Sequence, residues 1–155
     1  LCPDYNFHFV GGTDEDILRH KSAVKLNRLN NVIFHGLKTL SEVPPYLWHG
    51  DILLLPPSAN HPSAKWTSPV KLGEYCASKT PIIASNIPAL RRWLDETQCS
   101  FFKADDAESL IGSIKESLDT AKKEAVSLKV DNAYSLAKIL TYEGRAQSIL
   151  AAAKF

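Results

Sequence analysis

A chain of 155 residues, 45% hydrophobic, is the length of one domain and holds enough apolar material for a core. A formal charge of +1, with no basic run and no interleaving of aromatic and basic residues, excludes an electrostatic nucleic-acid surface. No apolar stretch reaches the length of a membrane span, the amino terminus is not a signal peptide, and Cys2, Cys76 and Cys99 form neither a close pair nor a metal spacing.

Runs rich in aromatic and β-branched residues recur at 5–10, 31–36, 51–56, 81–85 and 100–103. They are apolar at nearly every position, the pattern of parallel strands covered on both faces. Helical segments lie between them. The first is capped by Asp14 and reaches about Leu29, with Ile17, Leu18 and Val24 among its apolar positions. A second starts at Ser41, confines Pro44 and Pro45 to its first turn and sends Tyr46, Leu47 and Trp48 inward. A third covers 68–78 and a short fourth 88–94. Beyond Phe102 the strand signal ends, and three helices follow, opening at Asp105 or Asp106 and covering 123–137 and 142–152. The expectation is an α/β fold, a Rossmann-like doubly wound parallel sheet with a C-terminal helical tail, and a single domain over 1–155.

The stretch Thr67-Ser68-Pro69-Val70-Lys71-Leu72-Gly73-Glu74-Tyr75 carries the strongest functional signal. Ser68 suits an N-cap and Pro69 a first helical position, so a helix opens here, just beyond a buried strand and a polar loop. Its free amides form an anion site, Lys71 adds a positive charge, and Glu74 lies on the same face, able to accept hydrogen bonds from a sugar diol. The plain alternative is an ordinary helix start with a solvated lysine and a Lys71–Glu74 surface ion pair. Elsewhere, Gly11 and Gly12 follow the first strand without a GxGxxG pattern, so they make either a tight turn or a close approach to a ligand. His8, His20, His49 and His61 share no spacing, and no metal site is expected. Gly73 and Ala77 share a helical face that would let the helix approach the sheet closely. Cys76 reads as a buried small hydrophobe, and the Asp105-Asp106 pair as a helix cap.

The segment SPVKLGEYCASKTPIIASNIPAL, preceded by Pro56-Pro57-Ser58, resembles the donor-binding half of family-4 retaining glycosyltransferases of the two-domain GT-B fold. Val10-Gly11-Gly12, Asn31-Val32-Ile33-Phe34-His35-Gly36 and Tyr142-Glu143-Gly144-Arg145-Ala146 add weaker matches, and the likeness runs from about Phe7 to Leu150. The resemblance implies a hexosyltransferase that uses a nucleotide-diphosphate sugar and needs no metal or other cofactor. It implies a donor site of Gly11, Gly12, His35, Gly36, Ser58, Trp66, Thr67, Ser68, Pro69, Val70, Lys71, Leu72 and Glu74, with Lys71 as the catalytic group stabilising the leaving diphosphate and Glu74 on the ribose. Trp66 occupies the first position of the family's Glu-x7-Glu motif, where it either stacks on a sugar or belongs to the core. His35 is either near the base or an ordinary strand-end residue.

Family members have one more strand and helix before the run that begins this chain, with an Arg and a Lys for the diphosphate. Together with the absence of Met and the abrupt start at Leu1, that implies a piece of a longer protein. The missing strand would lie centrally in the sheet, which should then have a gap or recruit another strand, and an N-terminal acceptor domain would precede it. Polysaccharide biosynthesis in the cytoplasm, with peripheral association at the inner membrane surface, is the family-level expectation. The readings from other classes are a sugar-nucleotide epimerase or a phosphorylase of the same fold, and a non-catalytic nucleotide-binding or interaction module.

Overall fold

Each apolar run becomes a strand, trimmed at its ends, and each amphipathic segment a helix. The computed structural model describes residues 2–66 and 71–153, with only the backbone at Arg145. In chain order the elements are β1 (Phe7–Val10), α1 (Asp14–Leu26), β2 (Val32–Gly36), α2 (Val43–His49), β3 (Leu53–Leu55), a 3-10 segment (Pro62–Lys65), α3 (Lys71–Ala77), β4 (Ile82–Ser85), α4 (Pro88–Arg91), β5 (Ser100–Phe102), α5 (Ala107–Leu118), a 3-10 turn (Thr120–Lys122), α6 (Lys123–Ile139) and α7 (Tyr142–Ala152). All strand pairings are parallel. Among the described residues they form two sheets, β1-β2 and β3-β4-β5. Where the sequence shows no internal boundary, the chain divides into two compact units, residues 1–49 and 50–155.

The first unit is the β1-β2 pair with α1 and α2. Phe7, His8 and Phe9 lie beside Val32, Ile33 and Phe34, and the register slips after Phe9, so that Val10 meets Gly36. Thr13, not Asp14, caps α1. Its hydroxyl accepts from the Asp16 amide, and Asp14 instead lends favourable charge to the first turn. The helix stops at Leu26 rather than near Leu29 because Arg28 takes a left-handed conformation (φ 53°). The Leu29 amide donates to the Val24 carbonyl and the Arg28 amide to that of Lys25, a Schellman closure with arginine where glycine is usual. Trp48 does not pack inward as its helix pattern implies; it is 62% exposed.

The second unit holds the core. β4 is central and buried at every position, as a parallel strand flanked on both sides must be. Ile82 and Ala84 pack with Leu55, Leu72, Cys76, Leu90 and Leu94, and α6 contributes Ala133. Burying a side chain such as Leu90 stabilises the fold by about 1.5–3 kcal/mol. Helix α3 packs on α6 and buries Leu72 and Cys76. The face expected to press on the sheet does not: a Cβ on Gly73 would meet nothing, and Ala77 is exposed. The reason is that Leu72 and Cys76, four residues apart, supply the larger apolar stripe. Asp106 caps α5 through the Ser109 amide. From α5, the Ser113 hydroxyl donates to the Phe101 carbonyl and the Ser109 hydroxyl accepts from the Lys103 amide, so side chains satisfy polar backbone groups at and just past β5.

Candidate functional site

In the first unit, three glycines meet at the carboxyl ends of β1 and β2. Gly11, Gly12 and Gly36 have φ of 106°, 89° and 72°, and the Gly11 amide donates to the Gly36 carbonyl at 2.8 Å. Glycine is required at Gly11 by that left-handed backbone, and a Cβ there would meet nothing within 4 Å, so the main chain is open to approach. His35 adjoins this turn. Its Nε2 lies 2.9 Å from Nδ1 of His8, with ring centroids 5.1 Å apart and planes inclined by 10°. Near-parallel rings reach that centroid separation across so short an N···N contact only when they meet edge to edge. The two imidazoles therefore share one N–H···N hydrogen bond and are not stacked face to face. Tyr46 of α2 covers His35 with its ring 4.7 Å away. Desolvation first, then the charges of His8 and Lys38, hold the His35 pKa below its ordinary value. Sequence spacing gave no sign of this pair, because the pairing of β1 with β2, not periodicity, brings the two rings within reach across the strands.

In the second unit, the loop after β3 carries Ser58 and Trp66. The Ser58 hydroxyl accepts from the Asn60 amide. Trp66 ends the 3-10 segment and is 74% exposed, which removes the core alternative; the Arg92 guanidinium sits 5.0 Å over its ring. Lys71 and Glu74 are one turn apart on α3 and both exposed. Among the described residues no ion pair joins them, so neither charge is spent on the other. Leu72 is buried beneath them as part of the core. Thr67, Ser68, Pro69 and Val70, expected to supply the cap and the anion-binding amides, lie outside the described residues. Burial raises the Cys76 pKa to about 11, the behaviour of an inert core thiol.

Two residues outside the expected set shape this region. The Ser85 hydroxyl donates to the Pro57 carbonyl at 2.8 Å, and Asp105 accepts from the loop. A cavity of about 550 Å³ lies elsewhere, along β5, lined in part by Arg91, Glu96, Glu116 and Lys129. Arg91 pairs there with Glu96 and Asn86 and lies against the Phe101 ring, Glu116 with Lys122, and Lys129 with Ser100. With its charges mutually satisfied, this hollow has less to offer a ligand than the open groups on α3. Among the described residues, no three His, Cys, Asp or Glu side chains come together as metal ligands, and no helix is long and apolar enough to cross a membrane.

The family profile described as "Glycosyl transferases group 1" matches residues 2–120. A Bacillus subtilis protein, "Putative teichuronic acid biosynthesis glycosyltransferase TuaH", is 35% identical over 89 residues, 56% of this chain and 21% of its own length. Among solved structures, Anabaena Alr3699/HepE in complex with UDP superposes with a TM-score of 0.72 at 16% identity, over 97% of this chain and 42% of that one. The C-terminal domain of a group 1 family glycosyl transferase (LpcC) from Francisella tularensis gives 0.61 at 19% identity, over 89% of this chain and 70% of that one. The chain thus spans about a fifth of the curated relative and about two fifths of the HepE structure. Its fold is that of the Rossmann-like domains of GT-B proteins, with parallel sheets and a helical C-terminal region.

Proposed function

Because the chain belongs to the group 1 glycosyl transferases, we propose that it is the donor-binding domain of an enzyme of the family-4, retaining kind, moving a hexosyl group from a nucleotide-diphosphate sugar to a glycan, lipid or other acceptor. The family match across residues 2–120 carries this reading, since it takes in Lys71 and Glu74, two exposed charges one turn apart on α3. Lys71, with the amides of Val70 and itself, neutralises the leaving diphosphate as the glycosidic bond breaks, and no metal is needed. Glu74 accepts from the ribose hydroxyls.

The same proposal assigns to the region upstream of Leu1 a first strand and helix of the domain, with an Arg and a Lys for the diphosphate, and before them an acceptor-binding half. The 155 residues alone then bind nucleotide weakly and transfer nothing. The relative's part in teichuronic acid biosynthesis favours a polysaccharide or other envelope acceptor, with the whole protein working in the cytoplasm at the inner membrane surface. Calorimetric titration with UDP, GDP and ADP tests the reading. Hydrogen bonds to charged groups contribute about 1.5–3 kcal/mol, so Lys71→Ala and Glu74→Ala should each weaken the preferred nucleotide at least tenfold. Wild-type affinity in both variants would remove the donor site from α3.

A further inference from the structure

The loop after β3 leads from the sheet to Lys71, and its course is set by one carboxylate distant in sequence. The Ala59 amide donates to Asp105 Oδ2 at 2.9 Å, and the Asn60 side-chain amide donates to the same oxygen at 3.3 Å. Asp105 belongs to the turn after β5, so its carboxylate ties the exit of β3 to the exit of β5. The Ser85 hydroxyl, at the end of β4, holds Pro57 in the same loop. The carboxyl ends of three adjacent strands are thus laced to one segment.

Asp105 is not doing the work of its neighbour. Asp106 caps α5 and pairs with Lys103, which accounts for the helix start without help from Asp105. Asp105 instead holds a left-handed backbone, φ 60°, where a side chain is ordinarily unfavourable and glycine would be unstrained. Aspartate is among the residues that tolerate that conformation. A carboxylate kept there against backbone preference, with two loop donors on one oxygen, has the loop as its target.

We propose that Asp105 is a positioning residue for the donor site, fixing the 57–66 loop so that Trp66 and the start of α3 are presented to the nucleotide sugar. This rests on the reading of Lys71 as a donor contact. Asp105→Gly removes the carboxylate while relaxing the backbone, so the fold survives. Asp105→Asn keeps an acceptor oxygen and tolerance of the left-handed region. Titrated with UDP, Asp105→Gly should bind about three- to tenfold more weakly and Asp105→Asn close to wild type, as expected for loss or retention of a hydrogen bond. Trypsin should cut after the exposed Lys65 faster in Asp105→Gly, with or without UDP. In a Lys71→Ala background the Asp105→Gly effect on UDP should shrink, because the two act on one site; a merely structural role would add in full. Wild-type UDP affinity and wild-type cleavage in Asp105→Gly, with Lys71→Ala weakened, would overturn the proposal and leave the donor site standing. Undiminished UDP binding in Lys71→Ala would take down the donor-site reading itself, and this proposal with it, whatever the cleavage pattern.

Discussion

The two units of the chain bury their side chains very differently. Every fully buried hydrophobic residue among those described lies in the second unit, from Leu53 to Ala133, whereas Phe9, Leu18, Leu26 and Ile33 of the first remain exposed. Both units use parallel strands and capped helices, so local propensity does not separate them. What separates them is the number of strands. β4 has a strand on each side, and helices α3, α4, α5 and α6 contribute side chains to its unit's core or contact its edge strand. Among the described residues β1 and β2 pair only with each other, and a two-stranded sheet offers too little area to bury a residue completely. The lesson is that a strand whose sequence reads as covered on both faces stays half exposed until a neighbour arrives.

The largest expected effect sharpens this contrast. Ile83 is 0% exposed at the centre of the second unit, so Ile83→Ala should cost about 2–5 kcal/mol in denaturant-induced unfolding followed by circular dichroism. Ile33, 38% exposed in β2, should cost about 1 kcal/mol or less on the same change. Equal losses would break the comparison.

A smaller effect concerns pH. The His35 pKa is lowered from 6.5, chiefly by desolvation, with His8 and Lys38 adding repulsion and Tyr46 packed against the ring. Below pH 6.5 the unfolded chain therefore takes up a proton that folded His35 resists. Stability from neutral His35 is present above that value and is lost as pH falls towards the folded pKa. Amide hydrogen exchange in β1 and β2 should speed up, relative to intrinsic rates, between about pH 7.5 and about pH 5.5, while β4 amides keep their protection. In the second unit Asp95, Glu96, Asp106 and Glu116 are held below ordinary carboxylate values by Thr97, Arg91, Ser109 and Lys122 respectively. Their stabilisation is present above those ordinary values, 3.8 for Asp and 4.5 for Glu, and fails only in more acid solution. Asp16 and Glu42 behave likewise in the first unit, so on the acid side it is the window nearer neutrality that distinguishes the two. Loss of protection in β4 at the milder pH would contradict the assignment.

The smallest expected difference is at the helix caps. Removing a cap costs about 0.5–2 kcal/mol. Asp106→Ala, which also loses the Lys103 contact, should fall in the middle of that range, and Thr13→Ala in the loosely packed first unit at its lower end. The reverse order, measured by urea titration, would show that α1 is better anchored than its exposure implies.

Much of the fold was legible in the sequence. The five apolar runs correspond to the five strands among the described residues, and the last two helices begin at Lys123 and Tyr142 as expected. What escaped depended on contacts between elements. Leu72 and Cys76 take the buried face of α3 from Gly73 and Ala77, a choice completed by the packing of α3 on α6. Trp48 carries an inward-looking pattern but is 62% exposed. The end of α1 was hidden because arginine took the place of glycine in its closure. In the candidate site, a local motif is what singles out Lys71 and Glu74, whereas the contacts of His8 with His35 and of Asp105 with Ala59 join residues far apart in sequence.

The serines of α5 have one more consequence. By engaging the Phe101 carbonyl and the Lys103 amide, Ser113 and Ser109 blunt the outer margin of β5 against recruitment of a further strand. β3 carries no such guard among the described residues and pairs only with β4. The three-stranded sheet is thus blunted on its β5 flank by its own helix, which occupies a carbonyl and an amide that an incoming strand would need.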